Sequence, residues 1–353
     1  MGRLLVLWLL VSPLAVAQVT LDGSLGPAGA LAGLDVEIPA AVGQQMGGNL
    51  FHSFGRFNVP TGGSAIFTGA GGIDHVVGRV TGGEVSSIDG LLGTRFEGAN
   101  PDLWLVNPAG VMFGPNAQLD VQGALHVSTA DYLRLGNGGR FAADLGGGSV
   151  LTSAAPEAFG FLGGMPGGIG VEGGSLAVGE GRDLSLVGGE ISIVGGELVA
   201  PGGQLSVAAV GSAGEVLPGD GSLELVGFAG LEAISVSAGF LDASADGAGT
   251  VVIRGGAVSV EDSGIITYTT DQDGGGIDIR VEELFVRDDS TIGAATLGFG
   301  AGGSVVVAAD YIEIRNGSAI NAPVLGEGDG GSIFFEVGRM LLSGDGSEFV
   351  TGV

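Results

Sequence analysis

The sequence predicts an all-β protein, a right-handed parallel β-helix (a solenoid), with a differently textured domain at its amino end. Three observations lead there. Apolar-polar-apolar runs recur along the chain, glycines interrupt them, and part of the pattern repeats every 28 residues. Alternation with period two is the mark of a strand buried on one face. Helical spacing is nowhere sustained.

Composition fits this reading. Glycine contributes 74 of 353 residues and hydrophobic residues 45%, against 14% charged and 6% aromatic. Glycine at that level without a Gly-X-Y period excludes collagen and alone suggests disorder. The supply of Val, Ile and Leu argues the other way, since disordered chains have too little to bury. Many short strands between glycine turns satisfy both facts.

Residues 1–17 read as a signal peptide. Arg3 supplies the positive start, Leu4 to Leu10 the apolar stretch, and Ala15-Val16-Ala17 the cleavage site before Gln18. The stretch is too short to span a bilayer. The chain has no cysteine, so stability must come from packing, without disulfides or thiol chemistry. Formal charge is −27, and all 12 basic residues are arginine. Such a surface repels phosphates and anionic membranes, which excludes a nucleic-acid partner.

Residues 18–135 form the next unit. Here lie Trp104, the histidines His52, His75 and His126, and many turn residues. Asn107-Pro108-Ala109-Gly110 has the preferences of a type I turn: Asn first, Pro with its fixed φ second, Gly fourth. Strand-like Leu103-Trp104-Leu105-Val106 precedes it and Val111-Met112-Phe113 comes after.

Residues 136–353 read as glycine-rich β-helix repeats. Runs such as Leu184-Ser185-Leu186, Ile191-Ser192-Ile193, Leu223-Glu224-Leu225 and Ile277-Asp278-Ile279 alternate. Pairs such as Gly202-Gly203 and Gly255-Gly256 interrupt them, as turns needing positive φ would. Gly274, Gly302 and Gly330 open units 28 residues apart, in which Leu284 matches Ile312 and Met340, and Ser290 matches Ser318. The third copy slips after Leu342. A propeller blade needs roughly 40 or more residues, whereas roughly 20–30 suit a coil of three short strands. About 12 to 14 coils stacked at ~4.8 Å would give a rod on the order of 60 Å. Each coil would be held by its neighbours. Val353 falls partway through a unit with no polar cap, so either a longer natural chain continues the solenoid or the last coil frays.

The 18–135 unit resembles a known family. Phe51-His52-Ser53-Phe54-Gly55-Arg56-Phe57-Asn58-Val59-Pro60, Gly78-Arg79-Val80-Thr81-Gly82-Gly83 and Ser87-Ile88-Asp89-Gly90 are similar to the haemagglutination-activity domain of two-partner-secretion exoproteins, the filamentous-haemagglutinin type. So is Leu105-Val106-Asn107-Pro108-Ala109-Gly110-Val111-Met112-Phe113-Gly114-Pro115-Asn116-Ala117, running on to Ser128-Thr129-Ala130. Ala109 stands where the family motif usually has a second Asn. Asn100-Pro101-Asp102-Leu103 is similar to a more variable second turn of that family. The resemblance implies a capping and secretion domain at 18–135 and passage across the inner membrane of a Gram-negative cell by the general secretory translocon. It also implies recognition, unfolded or partly folded, by a dedicated outer-membrane β-barrel transporter. The implied recognition turn is Asn107, Pro108 and Gly110, with Asn100 and Pro101 as a second. The implied product is a secreted or surface-exposed adhesin, whose host or neighbouring-cell ligand no residue identifies.

An enzyme reading competes with this, since some β-helices act on polysaccharides. Asp288-Asp289, Asp271 with Asp273, and Glu282-Glu283 offer carboxylates, but adjacent strand residues face opposite ways unless a turn joins them. No lysine is present and no histidine lies beyond His126. No Gly-x-Ser-x-Gly elbow comes after a strand, so the expectation is no catalytic residue and no cofactor. Acids in the glycine turns at Asp271–Asp278 and Gly326–Gly331 are faintly similar to calcium-binding repeats, but the register is not repeated in tandem, and no metal site is assigned. The alternative function is a secreted β-helical carbohydrate-active or carbohydrate-binding protein.

Overall fold

The structure is a computed structural model that describes residues 18–352 except 345. The predicted signal peptide lies outside the described residues. From residue 18 onward the chain winds into a right-handed parallel β-helix, the hand that parallel crossover connections take.

One wall is a ladder of ten strands, from Asn49–Phe57 through His75–Val80, Asp102–Val106 and Leu125–Ser128 to Ile333–Ser343. In the last four coils the strand bends and continues across a second wall, as in Thr250–Glu261 and Gly276–Arg287. A third wall comprises a four-stranded and a seven-stranded parallel sheet. Inward residues align rung over rung: Leu50, Val76, Leu103, Leu125, Leu184 and Leu205 stack in register. All six are fully buried. Each such side chain meets apolar neighbours above and below, which holds the rod together without cross-links. Serine stacks in the same way at a corner. Ser290 Oγ accepts the amide of Ser263, and Ser318 Oγ accepts the amide of Ser290, both at 3.1 Å. The matched Ser290 and Ser318 of the repeat are therefore a buried hydrogen-bonded stack.

The ladder is shorter than the 12 to 14 coils expected. Ten rungs at ~4.8 Å give roughly 45 Å. The missing length lies outside the coils. Leu125 pairs directly with Leu184, and Gln204 with Thr250, so two long segments leave the solenoid and return. They supply Tyr132–Leu135, Gly139–Ala142, Pro156–Phe161, Gly214–Gly219 and Ser222–Val226, which join in one five-stranded antiparallel sheet. The run Leu223-Glu224-Leu225 thus belongs to this flap rather than to a coil.

The flap covers the outer face of the first wall, and the sequence of that face changes accordingly. Beneath it the outward residues Phe51, Val77, Trp104, Val106 and Val252 pack on Leu133, Phe159 and Val216 in a second core. Past its edge the matching positions are Asp278 and Arg280. At the amino end, Val19–Asp22 and Gln44–Met46 pair antiparallel with Asn49–Phe57 and close the first coil's edge.

Glycine serves a different purpose from the one read in the sequence at many turns. Gly203, Gly249, Gly275, Gly303 and Gly331 stand above one another without positive φ, and a Cβ at Gly303 would overlap the Gly275 carbonyl oxygen. They are glycines because each coil's backbone lies directly on the last. Left-handed corners are taken by other glycines, Gly195 and Gly202 among them as the sequence led one to expect, and by Asp262, Asp288, Asp289 and Asn316. Asp288 and Asp289 therefore sit in a turn, and Asn316 Nδ2 donates to Asp288 Oδ1 at 2.7 Å.

Candidate recognition turn and its surroundings

Asn107-Pro108-Ala109-Gly110 joins Asp102–Val106 on the first wall to Val111–Phe113 on the second. The Gly110 amide donates to the Asn107 carbonyl at 3.0 Å, closing the β-turn, and Gly110 has φ of 122°, which suits glycine alone. Asn107 Oδ1 accepts from the Ala109 amide at 3.1 Å. Its Nδ2 donates to the Glu84 carbonyl at 2.9 Å and to Ser86 Oγ at 3.0 Å, both in the coil before. Its backbone amide donates to the Ser128 carbonyl at 2.9 Å, in the coil after. Asn107 is 0% exposed, so every polar group it owns is spent inside the protein.

The turn is clamped from above as well. The chain returning from the flap brings the Gly167 amide to the Pro108 carbonyl at 3.2 Å and the Gly168 carbonyl to the Val111 amide at 3.1 Å. A Cβ at Gly167 would stand 2.5 Å from the Pro108 oxygen and 2.6 Å from the Ala109 carbonyl carbon. Pro108 and Ala109 remain half-exposed. Below, Arg56 holds the Glu84 carboxylate at 2.6 Å.

The second predicted turn lies elsewhere. Asn100 is exposed and Pro101 buried, at the opposite end of the five-residue strand from Asn107. A strand of that length spans about 17 Å, so the two Asn-Pro corners do not converge. Next to Pro101, Asp102 Oδ1 accepts from the Ala124 amide at 2.9 Å, and Asp102 Oδ2 lies 3.4 Å from His75 Nδ1. Burial alone would raise the Asp102 carboxyl, but His75, the Ala124 amide and His126 together hold it below its usual value.

Arg79, to which the sequence pattern assigns no role, ties three parts of the protein together while only 3% exposed. Nε donates to Ser53 Oγ at 2.7 Å in the first coil, and a terminal nitrogen to Ser24 Oγ at 2.9 Å in the cap. The other terminal nitrogen reaches the Ala142 carbonyl and Ser149 Oγ in the flap, while the guanidinium lies 4.4 Å from the Phe141 ring centre. Asp22 completes the group, accepting from Ser53 Oγ at 2.6 Å and Thr81 Oγ1 at 2.9 Å. The available signal was an arginine amid the valines of His75-Val76-Val77-Gly78-Arg79-Val80.

Two of the three histidines are interior, and His75 is half-buried. His52 points into the coil among Phe54 and Phe67, its ring nitrogens without partners among the described residues. His126 stacks on Trp104 at 3.9 Å between ring centres and contacts Ser185 Oγ at 3.0 Å. Burial pushes both down to about 4. Among the described residues, no three His, Asp or Glu side chains form a cluster that could hold a metal ion.

The architecture defines the class: an amino-terminally capped parallel β-helix with an outer antiparallel flap over its first coils. Residues 17–266 match the model of the TPS secretion domain, and the chain belongs to that family, the exoproteins of two-partner secretion. The match spans the cap, the turn and both flap segments. Among solved structures, the chain is similar to the HMW1 secretion domain from Haemophilus influenzae, at 16% identity and a TM-score of 0.49 over 91% of this chain and 98% of that one. No curated protein matches.

Proposed function

We propose that this exoprotein is a non-enzymatic adhesin of the haemagglutinin type, placed outside the cell or on its surface by a dedicated outer-membrane β-barrel transporter. The transporter reads the segment 18–135 before it has folded fully, at the Asn107-Pro108-Gly110 turn and secondarily at Asn100-Pro101. The observation that carries this reading is the complete internal use of Asn107. A partner that recognises its side chain must meet it before the coils on either side close. A non-catalytic role is supported by His52 and His126, which are buried, and by Asp288-Asp289, which build a corner.

The test is secretion from cells carrying the cognate transporter, comparing the wild type with Asn107→Ala and Ser86→Ala. Ser86→Ala removes one hydrogen bond of the folded corner and leaves the Asn107 side chain in place. Periplasmic accumulation of Asn107→Ala with normal export of Ser86→Ala is expected. Equal export of wild type and Asn107→Ala, or export without any transporter, would sink the reading.

A further inference from the structure

The flap ends on an open strand. Ser222–Val226 pairs with Gly214–Gly219 on one side and, among the described residues, with no strand on the other. Opposite Leu223 stands Pro218, which has no N–H to give, so Leu223 turns its amide and carbonyl away from that neighbour. The Leu223 carbonyl indeed accepts from Arg254 Nε at 3.1 Å. Alternation along the ladder puts the amide and carbonyl of Leu225 on the same open side. Arg254 therefore covers one end of the edge and leaves the Leu225 end free.

Beside that edge lies a cleft of about 620 Å³, with Leu223, Leu225, Leu231 and Val281 as its apolar part. A second hollow of about 520 Å³ shares Arg280 and Val281 with it and runs on past Asp310 and Glu336. Here the cover stops while the wall beneath continues, so the cleft is the seat the next flap strand would take. Its charge is acidic in balance, five carboxylates to two arginines across both hollows. Asp278 takes both arginines, Arg254 at 2.9 Å and Arg280 at 3.1 Å. Glu224, Glu282, Asp310 and Glu336 have no ion partner among the described residues.

We propose that this cleft receives an extended, basic polypeptide strand of a partner, added edge-on at Leu225, with its cationic side chains on Glu224 and Glu282. Backbone pairing supplies affinity and the carboxylates select the charge. The inference stands on the flap's geometry and is independent of how the Asn107 turn is used.

The experiment is fluorescence anisotropy of a labelled, alternating Lys–Val peptide titrated with the full chain. Saturable binding is expected, weakened about tenfold or more in Glu224→Gln/Glu282→Gln, the equivalent of one charge-assisted hydrogen bond. A Lys–Val peptide N-methylated along one edge keeps its charge and loses its strand donors, and it should fail to bind. Unchanged Trp104 fluorescence certifies the fold of the double variant. Absence of Lys–Val binding, equal binding of the N-methylated peptide, or an unaffected double variant would each overturn the proposal. The second of these outcomes would reduce the interaction to attraction by an acidic surface.

Discussion

At the scale of single residues, His52 makes the sharpest prediction. Its imidazole is neutral inside the first coil, and burial lowers it from 6.5 to about 4. A group depressed by folding contributes stability that is whole above its unfolded value and is lost as pH falls toward the folded one. Acidification from pH 7 to 4 should therefore remove about 3 kcal/mol through His52 alone. His126 adds in the same direction, since burial lowers it too. Urea midpoints followed by Trp104 fluorescence across that range would measure the loss. His52→Leu should flatten it and raise stability at neutral pH, because two unpartnered nitrogens leave the core. Arg79→Ala should cost about 3 kcal/mol, as its removal leaves the buried Ala142 carbonyl and Ser53 hydroxyl without their charged donor and frees cap from flap. A thermal melt would show whether it does. Asn107 was legible in the sequence as a turn residue, but its four-way use was not. Spacing reveals a turn, whereas Glu84, Ser86 and Ser128 reach it only through stacked coils.

Elements tell a similar story. The period-two runs and the 28-residue repeat located the coil strands, because each inward position meets its own equivalent one rung away. The flap was hidden, since Leu223-Glu224-Leu225 alternates like any half-buried strand and local pattern carries no partner. A clue did exist in the outward positions. Phe51, Val77 and Trp104 are apolar on the face that later coils fill with Asp278 and Arg280, and that excess needs a cover. Gly167 joins flap to turn, so Gly167→Ala should push the returning chain off Pro108. Hydrogen exchange at the Gly110 and Val111 amides should then quicken, with the distant coils unaffected. Unchanged exchange would mean that the turn holds without its clamp.

For the whole molecule, stability is a chain of nearest-neighbour contacts along the rod. Damage should stay local. Val307→Asp, in the inner ladder of a late coil, is expected to loosen the coils around it while Trp104 keeps its buried emission. Leu105→Asp strikes below the flap, where two cores meet, and should abolish that emission. Emission lost equally in both variants would show that the rod unfolds as one unit. The solenoid was readable because its rules are local and repeated. The number of coils was not, because chain length counts excursions as if they were rungs.

The flap has a consequence in time. Its two halves are far apart in sequence: Tyr132 donates to Glu215 at 2.9 Å across 83 residues. A coil can close as soon as its own few dozen residues are available. The cover cannot: Phe159 reaches Trp104 early, but any process that delivers the chain amino end first leaves the cover incomplete until residue 226 has arrived. The molecule thus carries an interval in its folding, set by the length of one detour, during which its first coils are built but not yet sealed.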